Sequence, residues 1–368
     1  MTSRRGQTNG PFGAVADSTR FCIAFARGCR KRRSMRLAGK SVGVVYVSDR
    51  NYHELTLFSI ASLALFLKER VSITLFQVGY EQPLDPALAA YLAKVGHRIE
   101  VVPLASRDPS HEEVQLHEHI SPASLLKADA IDAVAPRHDL VVFLDGDTLF
   151  MRPCSFESLP EFTTSFAGVY NFLSYMPFWE QDLIGHTERT GVSSDYFNSG
   201  VIFIRSERWI ALGLRERYRR NLVAHEARCP YRHDAEGNDP RDCVGSDQCA
   251  FNMSVEHDWT PLDFRWNMQK TTRHMAGWRH ALIRHYTGHR KFLTTSNRHR
   301  DAAEYRVLSA IREQVGLRPA RPIHYRDRGL VYALDYAANF KLMLGYGRLL
   351  RKLSAKMAGG RATERAAG

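Results

Sequence analysis

Five consecutive apolar residues, Leu140, Val141, Val142, Phe143 and Leu144, run without interruption into Asp145, Gly146 and Asp147. An apolar run of this length, with no polar alternation, predicts a strand buried on both faces, which requires a sheet covered on both sides. In open α/β sheets, ligands sit outside the carboxyl ends of such strands. Two carboxylates placed there repel unless a proton or a cation lies between them, and a pair of oxygen ligands suits Mg²⁺ or Mn²⁺. The triplet alone is weak evidence, because roughly one Asp-x-Asp arises by chance in a chain of 368 residues at ordinary aspartate usage. Asp-Gly is also a common turn dipeptide.

The pattern around the triplet supplies context. The valine-rich Ser41 to Ser48 predicts a strand, followed by an amphipathic helix from Glu54 to Lys68 with Leu55, Phe58, Ser62 and Leu65 on one face. A strand from Val71 to Val78, a helix from Pro86 to Val95 and a strand from Arg98 to Leu104 complete a βαβαβ unit. Such a unit implies a parallel sheet with right-handed crossovers, an architecture that binds nucleotides. Its first strand, however, ends in Ser48, Asp49, Arg50, Asn51 and Tyr52, with neither Gly-x-Gly-x-x-Gly nor a Walker loop. Those side chains suit a base and ribose, by hydrogen bonding and stacking, and leave phosphates to a metal; an ordinary Asp/Asn turn is the alternative.

Beyond the acid pair the alternation becomes less regular. Strands are expected over Phe166 to Phe172 and Tyr196 to Arg205, a helix capped by Ser206 through Val223, and a polar loop from Ala224 to Gly245. Ser246 opens a helix carrying Asp247, Gln248 and Asn252. Two further strands are expected, Trp259 to Asn267 and Ala281 to Tyr286, the second running into His285, Tyr286, Thr287, Gly288, His289, Arg290 and Lys291.

Composition excludes several classes. With 44% hydrophobic and 24% charged residues the chain reads as globular, and its six cysteines are scattered too irregularly for a disulfide scaffold. No stretch reaches the ~18 uninterrupted apolar residues of a membrane span, and the N-terminus lacks an apolar core followed by a small-residue cleavage site. The expectation is a cytoplasmic protein. The formal net charge of +12 divides unevenly: residues 1–36 carry +8 and residues 341–368 carry +6, which leaves −2 for the body between them. A nearly neutral body argues against nucleic acid as a partner.

Taken in order, VSDRNY (47–52), FLDGDTLF (143–150), YFNSGVIFI (196–204), SDQCAFN (246–252), DFRWN (263–267) and HYTGHRK (285–291) resemble the motifs of glycosyltransferase family 8. That family includes glycogenin and bacterial lipopolysaccharide galactosyl- and glucosyltransferases. The resemblance covers residues 41 to about 295. It implies a GT-A fold, an α/β single domain over 37–330 with a mixed, mostly parallel sheet, and a metal-dependent hexosyltransferase. The donor would be a UDP-sugar bound with Mn²⁺ or Mg²⁺, and the acceptor a glycan, a lipid-linked glycan or another hydroxyl compound. Asp145, Asp147 and His285 would be the metal ligands. Ser48, Asp49, Asn51 and Tyr52 would hold uracil and ribose, with Lys127 and Gly146 near the donor. Gly288 and Lys291 match His-x-x-Gly-x-x-Lys, in which the glycine admits the diphosphate and the lysine meets it. Asn198, Ser199, Asp247 and Gln248 would surround the transferred sugar.

The sequence departs from the family pattern twice. Phe292 and Leu293 follow the lysine where Pro-Trp is usual, and Asn171 stands where several members have an aspartate that contacts donor-sugar hydroxyls. The family retains anomeric configuration. Because Gln248 is a poor nucleophile, the expected course is front-side attack by the acceptor, with Gln248 beside the oxocarbenium-like carbon and the departing phosphate taking the proton. A sugar-phosphate nucleotidyltransferase shares the plan but calls for a glycine-rich first loop. A catalytically inactive binding module of the same fold is opposed by the complete Asp, Asp, His and Lys set. Finally, Met343, Tyr346, Leu349, Leu350, Leu353 and Met357 fall at helical spacing among five basic residues. With the basic residues 1–36, this C-terminal helix and tail (331–368) could seat the protein peripherally on the anionic inner face of a membrane; packing on the domain is the alternative.

Overall fold

The computed structural model describes residues 37, 39–105, 121–171, 196–228, 246–273, 276–288, 290–294, 300–323 and 337. Its frame is the expected alternation. β1 (Val42–Ser48) pairs in parallel with β2 (Ser72–Val78), and β2 with β3 (Arg98–Leu104). The crossovers are α1 (His53–Phe66) and α2 (Pro86–Val95). Local chemistry bounds α2: the Asp85 carboxylate accepts the N–H groups of Ala87 and Leu88, Pro86 sits in the first turn, and Gly96 closes the helix at φ 86°. After β3 the chain returns through α3 (Lys127–Val134) and lays β4 (Leu140–Leu144) along the other side of β1, again in parallel. The direction of winding therefore reverses between β1 and β4, which opens a crevice at their carboxyl ends.

The second half extends this sheet. β6 (Phe166–Tyr170) and β7 (Phe197–Arg205) run antiparallel to each other, β7 runs antiparallel to β4, and β8 (Trp259–Pro261) runs parallel to β6. The seven strands lie in the order β3-β2-β1-β4-β7-β6-β8, a mixed and mostly parallel sheet as expected. A smaller sheet joins β5 (Thr148–Phe150), β10 (Ile283–His285) and β9 (Met268–Gln269). β4 is buried at every position, and its neighbour β7 at all but Arg205.

Several elements differ from the sequence expectation. α1 is buried on nearly every side, because β1, β5, α2 and the π-helical turn Ile311–Val315, which continues α8 (Ala302–Ala310), surround it. The helix is therefore not amphipathic, and Ser59 and Ser62 are buried with its apolar residues. The expected helix from Ser206 is two, α4 (Ser206–Ala211) and α5 (Leu214–Arg228), broken at Gly213 (φ 57°). Ser206 caps neither, its hydroxyl being buried without a partner. α5 continues past Val223 to Arg228, and most of the expected loop lies outside the described residues. The strand expected from Trp259 to Asn267 stops at Pro261; Asp263 then accepts the Arg265 N–H and starts a 3₁₀ turn, since proline cannot donate to a ladder and a free aspartate competes with it. The basic N-terminal stretch and the helix expected over 340–357 also lie outside the described residues. Among those described, no helix is long and apolar enough to cross a membrane.

Three hydroxyls of α1 hold the turn that carries the aspartates. Ser62 Oγ accepts the backbone N–H of Phe150 at 2.9 Å, Ser59 Oγ pairs with Thr148 Oγ1 at 2.9 Å, and Thr148 Oγ1 donates to the Asp145 carbonyl at 2.8 Å. Thr56 Oγ1 occupies the space that a Cβ on Gly146 would need. Ser62→Ala strands a buried N–H and is expected to cost about 1–3 kcal/mol, read as a lower urea midpoint with an unchanged m-value.

Candidate active site

Asp145 leaves the end of β4 with its N–H on the Gly200 carbonyl (2.8 Å), so β7 fixes its backbone. Asp147 presents its carbonyl to the Tyr286 N–H (3.0 Å), so β10 fixes that one. Because β5 and β10 run antiparallel with Thr148 opposite His285, the histidine is delivered to the same point. His285 Nε2 lies 3.2 Å from Asp147 Oδ1 and 3.6 Å from Asp145 Oδ2. One ligand atom from each of the three residues falls within 4.8 Å of the others, the arrangement of a metal-binding group.

The surroundings determine which histidine nitrogen faces the acids. Nδ1 lies 3.0 Å from Asn198 Oδ1 and 3.1 Å from Asn267 Oδ1. The Asn198 amide is oriented unambiguously, because its Oδ1 also accepts the Gly200 N–H (3.1 Å), which can only donate; Asn267 Nδ2 donates to the same oxygen (2.8 Å). Two accepting oxygens keep the proton on Nδ1 and leave Nε2 as a ligand atom, the arrangement usual for metal-bound histidine. Asp147 Oδ1 is buried with no hydrogen-bond partner. An unpaired carboxylate oxygen beside an imidazole lone pair fits a cation and little else.

Two lysines complete the charge pattern. Lys127, buried at the start of α3, places Nζ 3.0 Å from Asp145 Oδ1 and 2.8 Å from Asp247 Oδ2, over the Phe143 ring. Burial alone would lower its pKa, but the two aspartates raise it above the ordinary value. Lys291 Nζ donates to Asp147 Oδ2 and to the Tyr286 carbonyl (2.8 Å), and lies 5.5 Å from the centre of the Tyr52 ring. Burial favours the neutral acid at both aspartates; it prevails at Asp145, whose pKa is raised, while the Lys291 ammonium group pulls Asp147 below the usual range. The cleft lining holds four carboxylates, Asp49, Asp145, Asp147 and Asp247, against the ammonium groups of Lys127 and Lys291. That negative excess also suits a divalent cation.

The cleft gathers most of the residues singled out from sequence. Asp49, Tyr52, Lys127, Asp145, Gly146, Asp147, Asn198, Ser199, Asp247, Gln248, His285, Gly288 and Lys291 all line it. Ser48, Asn51 and Asn171 do not. Ser48 is fully buried, its hydroxyl donating to the Asp49 carbonyl and accepting from Thr56, and Asn51 is exposed. Asn171 lies behind Asn198, accepting from its Nδ2 at 3.0 Å. Asp49 serves as a clasp: one oxygen takes the Tyr52 N–H (2.9 Å) and the other the Ser121 hydroxyl. Gln248 departs from expectation in orientation. Its Oε1 accepts from Asn198 Nδ2 (2.9 Å) and the Ser199 N–H (3.0 Å), so both lone pairs belong to the scaffold, and the amide nitrogen is what remains to offer the cleft.

Sequence reasoning gave no role to Asn267 and Gly200. Asn267 was within a quoted motif, but its part in aiming His285 follows only from the fold. A Cβ on Gly200 would stand 2.6 Å from Asp145 Oδ2 and against the His285 ring. Gly200→Ala is therefore expected to weaken Mn²⁺ binding, measured by titration calorimetry, by about 10-fold or more while leaving a folded protein.

With this geometry in hand, comparison with known proteins is specific. No curated protein sequence matches the chain significantly. Among solved structures, an active-site mutant of LgtC superposes with a TM-score of 0.55 at 16% identity, over 76% of this chain and 98% of that one. The galactosyltransferase LgtC in complex with donor and acceptor sugar analogues gives 0.54 at 16% identity, with the same coverage. The bifunctional glycosyltransferase WbbM gives 0.51 at 16% identity, over 74% of this chain and 50% of that one. At such identity these likenesses establish the fold, which is GT-A. The model of glycosyl transferase family 8 matches residues 43–292, more than half the chain and every motif of the cleft, and the protein belongs to that family.

Proposed function

We propose that the protein is a retaining, divalent-metal-dependent hexosyltransferase that takes its sugar from a UDP-linked donor and delivers it to a hydroxyl of a glycan or lipid-linked glycan. The observation that carries this reading is the group of Asp145, half-buried, with the buried Asp147 and His285, its unpaired oxygen flanked by Lys291. A nucleoside diphosphate would bring several negative charges into a cleft already rich in carboxylates, an excess that calls for a divalent cation beside them. Bound there by these three residues, Mn²⁺ or Mg²⁺ would neutralise the charge that grows on the diphosphate as the glycosidic bond breaks.

The chain's own groups divide the remaining work. Tyr52 and Asp49, at the end of β1, suit the base and ribose; the Asp49–Ser121 clasp pre-sets that wall. Lys291 stabilises the departing diphosphate, and Gly288, with φ 68° and no Cβ, lets the backbone approach it. Asn198, Ser199, Asp247 and Gln248 surround the position of the sugar. Since Gln248 Oε1 is committed to Asn198 and Ser199, positive character at the anomeric carbon is better met by the Asp247 carboxylate, which Lys127 balances. The acceptor hydroxyl attacks on the face the diphosphate leaves and gives that oxygen its proton, so configuration is retained without a glycosyl-enzyme.

A panel of nucleotide sugars, each incubated with the protein and Mn²⁺, tests the donor and the metal together. One UDP-hexose is expected to release free UDP, release is expected to stop with EDTA, and Asp147→Ala is expected to cut the rate by about 10²–10³-fold, the scale of lost leaving-group stabilisation. Metal-independent turnover, or full activity in Asp147→Ala, would refute the assignment. Proton NMR of the first-formed product is expected to show the anomeric configuration of the donor. An inverted product, or a glycosyl adduct on Asp247 found by mass spectrometry of the working enzyme, rules out front-side attack.

A further inference from the structure

Lys291 sits on a turn that local preference would not choose. Gly288 (φ 68°) and Arg290 (φ 59°) both lie in the left-handed region, unfavourable for a residue with a Cβ such as Arg290, and the Thr294 N–H closes the turn on the Lys291 carbonyl at 3.0 Å. Such a conformation persists where its surroundings over-determine it. Phe292, one of the two departures from the family pattern, is fully buried edge-on to Tyr286 with 5.2 Å between ring centres. Behind it stands an ionic cluster at the start of α8. Arg300, itself buried, donates from Nη2 to the carbonyls of Phe292 (2.7 Å) and Thr294 (3.0 Å), and from Nε to Glu304 Oε1 (3.1 Å).

The cluster returns to the strand that carries His285. Glu304 Oε2 accepts the Tyr286 hydroxyl at 2.8 Å, and the Tyr286 carbonyl accepts from Lys291 Nζ at 2.8 Å. Asp301 caps Glu304 through its N–H (2.8 Å) and pairs with the buried Arg284 (2.8 Å). Arg300 and Glu304 lie beyond residue 292, where the match to the family model ends. The turn bearing a cleft cation is thus gripped from outside the region shared with the family.

We propose that Arg300, steered by Glu304, is a positioning residue for Lys291: by holding the carbonyls of Phe292 and Thr294 it sets the turn from which the ammonium group meets the donor's diphosphate. The inference rests on the reading of Lys291 as the diphosphate ligand. Arginine is required for this because a single guanidinium can fork to two carbonyls and a carboxylate, whereas an ammonium group cannot reproduce that planar arrangement. Burial pushes the Glu304 carboxyl up to about 7 against the pull of Arg284 and Arg300, so Glu304→Gln is close to one of its native charge states.

A double-mutant cycle on the full chain tests it, with the Kd for UDP in the presence of Mn²⁺ read by calorimetry and the unfolding midpoint read alongside. Lys291→Ala is the reference and is expected to weaken UDP by about 10-fold or more; if it does not, the donor-site reading fails and the inference with it. Given that loss, Arg300→Gln is expected to weaken UDP by about 5- to 10-fold in the native background and by less than about twofold in the Lys291→Ala background, because the effect passes through Lys291. Glu304→Gln is expected to give a smaller loss with the same dependence. If Arg300→Gln does not fold, Arg300→Lys replaces it and the same pattern is expected. Equal losses in both backgrounds, or unchanged UDP affinity in a folded Arg300 variant, overturns the proposal while leaving the donor site intact.

Discussion

Two aspartates held two residues apart at the end of a buried strand cannot both carry charge in a poorly solvated crevice without compensation, and much of the molecule supplies it. Lys127 approaches Asp145 from α3, Lys291 approaches Asp147 from the turn after β10, and His285 stands between them. Burial raises Asp145 while Lys291 lowers Asp147, so the pair is electrostatically asymmetric even with identical side chains. A site with this much unresolved charge is costly to build from packing alone. Its residues are drawn together from the ends of β1, β4, β7, the helix Ser246–Val255 and β10, which a doubly wound sheet places at one edge.

What keeps the charges in place is a layer of neutral hydrogen bonds. Ser59 and Ser62 of α1 hold the acid turn from below, and the amides of Asn198, Asn267, Gln248 and Asn252 hold the wall on the other side. Each such bond contributes only about 1 kcal/mol, but a buried donor or acceptor left without its partner costs more, so the layer tolerates little change. The Gln248 orientation follows from it. A backbone N–H and a neighbouring amide take both lone pairs of its carbonyl, and the part it can play beside a reacting carbon changes accordingly.

The similarity to LgtC at 16% identity shows how little of a chain a shared fold constrains. The match to the family model spans every stretch of the chain that lines the cleft from Val47 to Lys291. Where the family usually continues from the lysine with Pro-Trp, Phe292 packs on Tyr286 and its carbonyl is taken by an arginine from a later helix. Function in this sense lives in the site and not in the fold that carries it.

The parallel βαβαβ half was legible because each element announces itself locally: valine runs for strands, Asp85-Pro86 and Gly96 for the ends of α2. Asp145, Asp147, His285, Lys127 and Lys291 were singled out through the resemblance to the family, and the fold brings all five to one cleft. Less was readable where distant partners overrule local preference. α1 reads as amphipathic but is covered on nearly every side, β5 included, and the strand expected through Asn267 breaks at Pro261 and Asp263. The histidine's tautomer, the committed oxygen of Gln248 and the grip of Arg300 on the Lys291 turn are relations between residues tens of positions or more apart, or across a bend, and no periodicity encodes them. By itself the sequence determined which chemical groups the protein has and which strands present them, since burial pattern and turn chemistry are local. Only the tertiary structure decided which atom of each group faces the cleft, because that depends on which hydrogen-bond partner reaches it first.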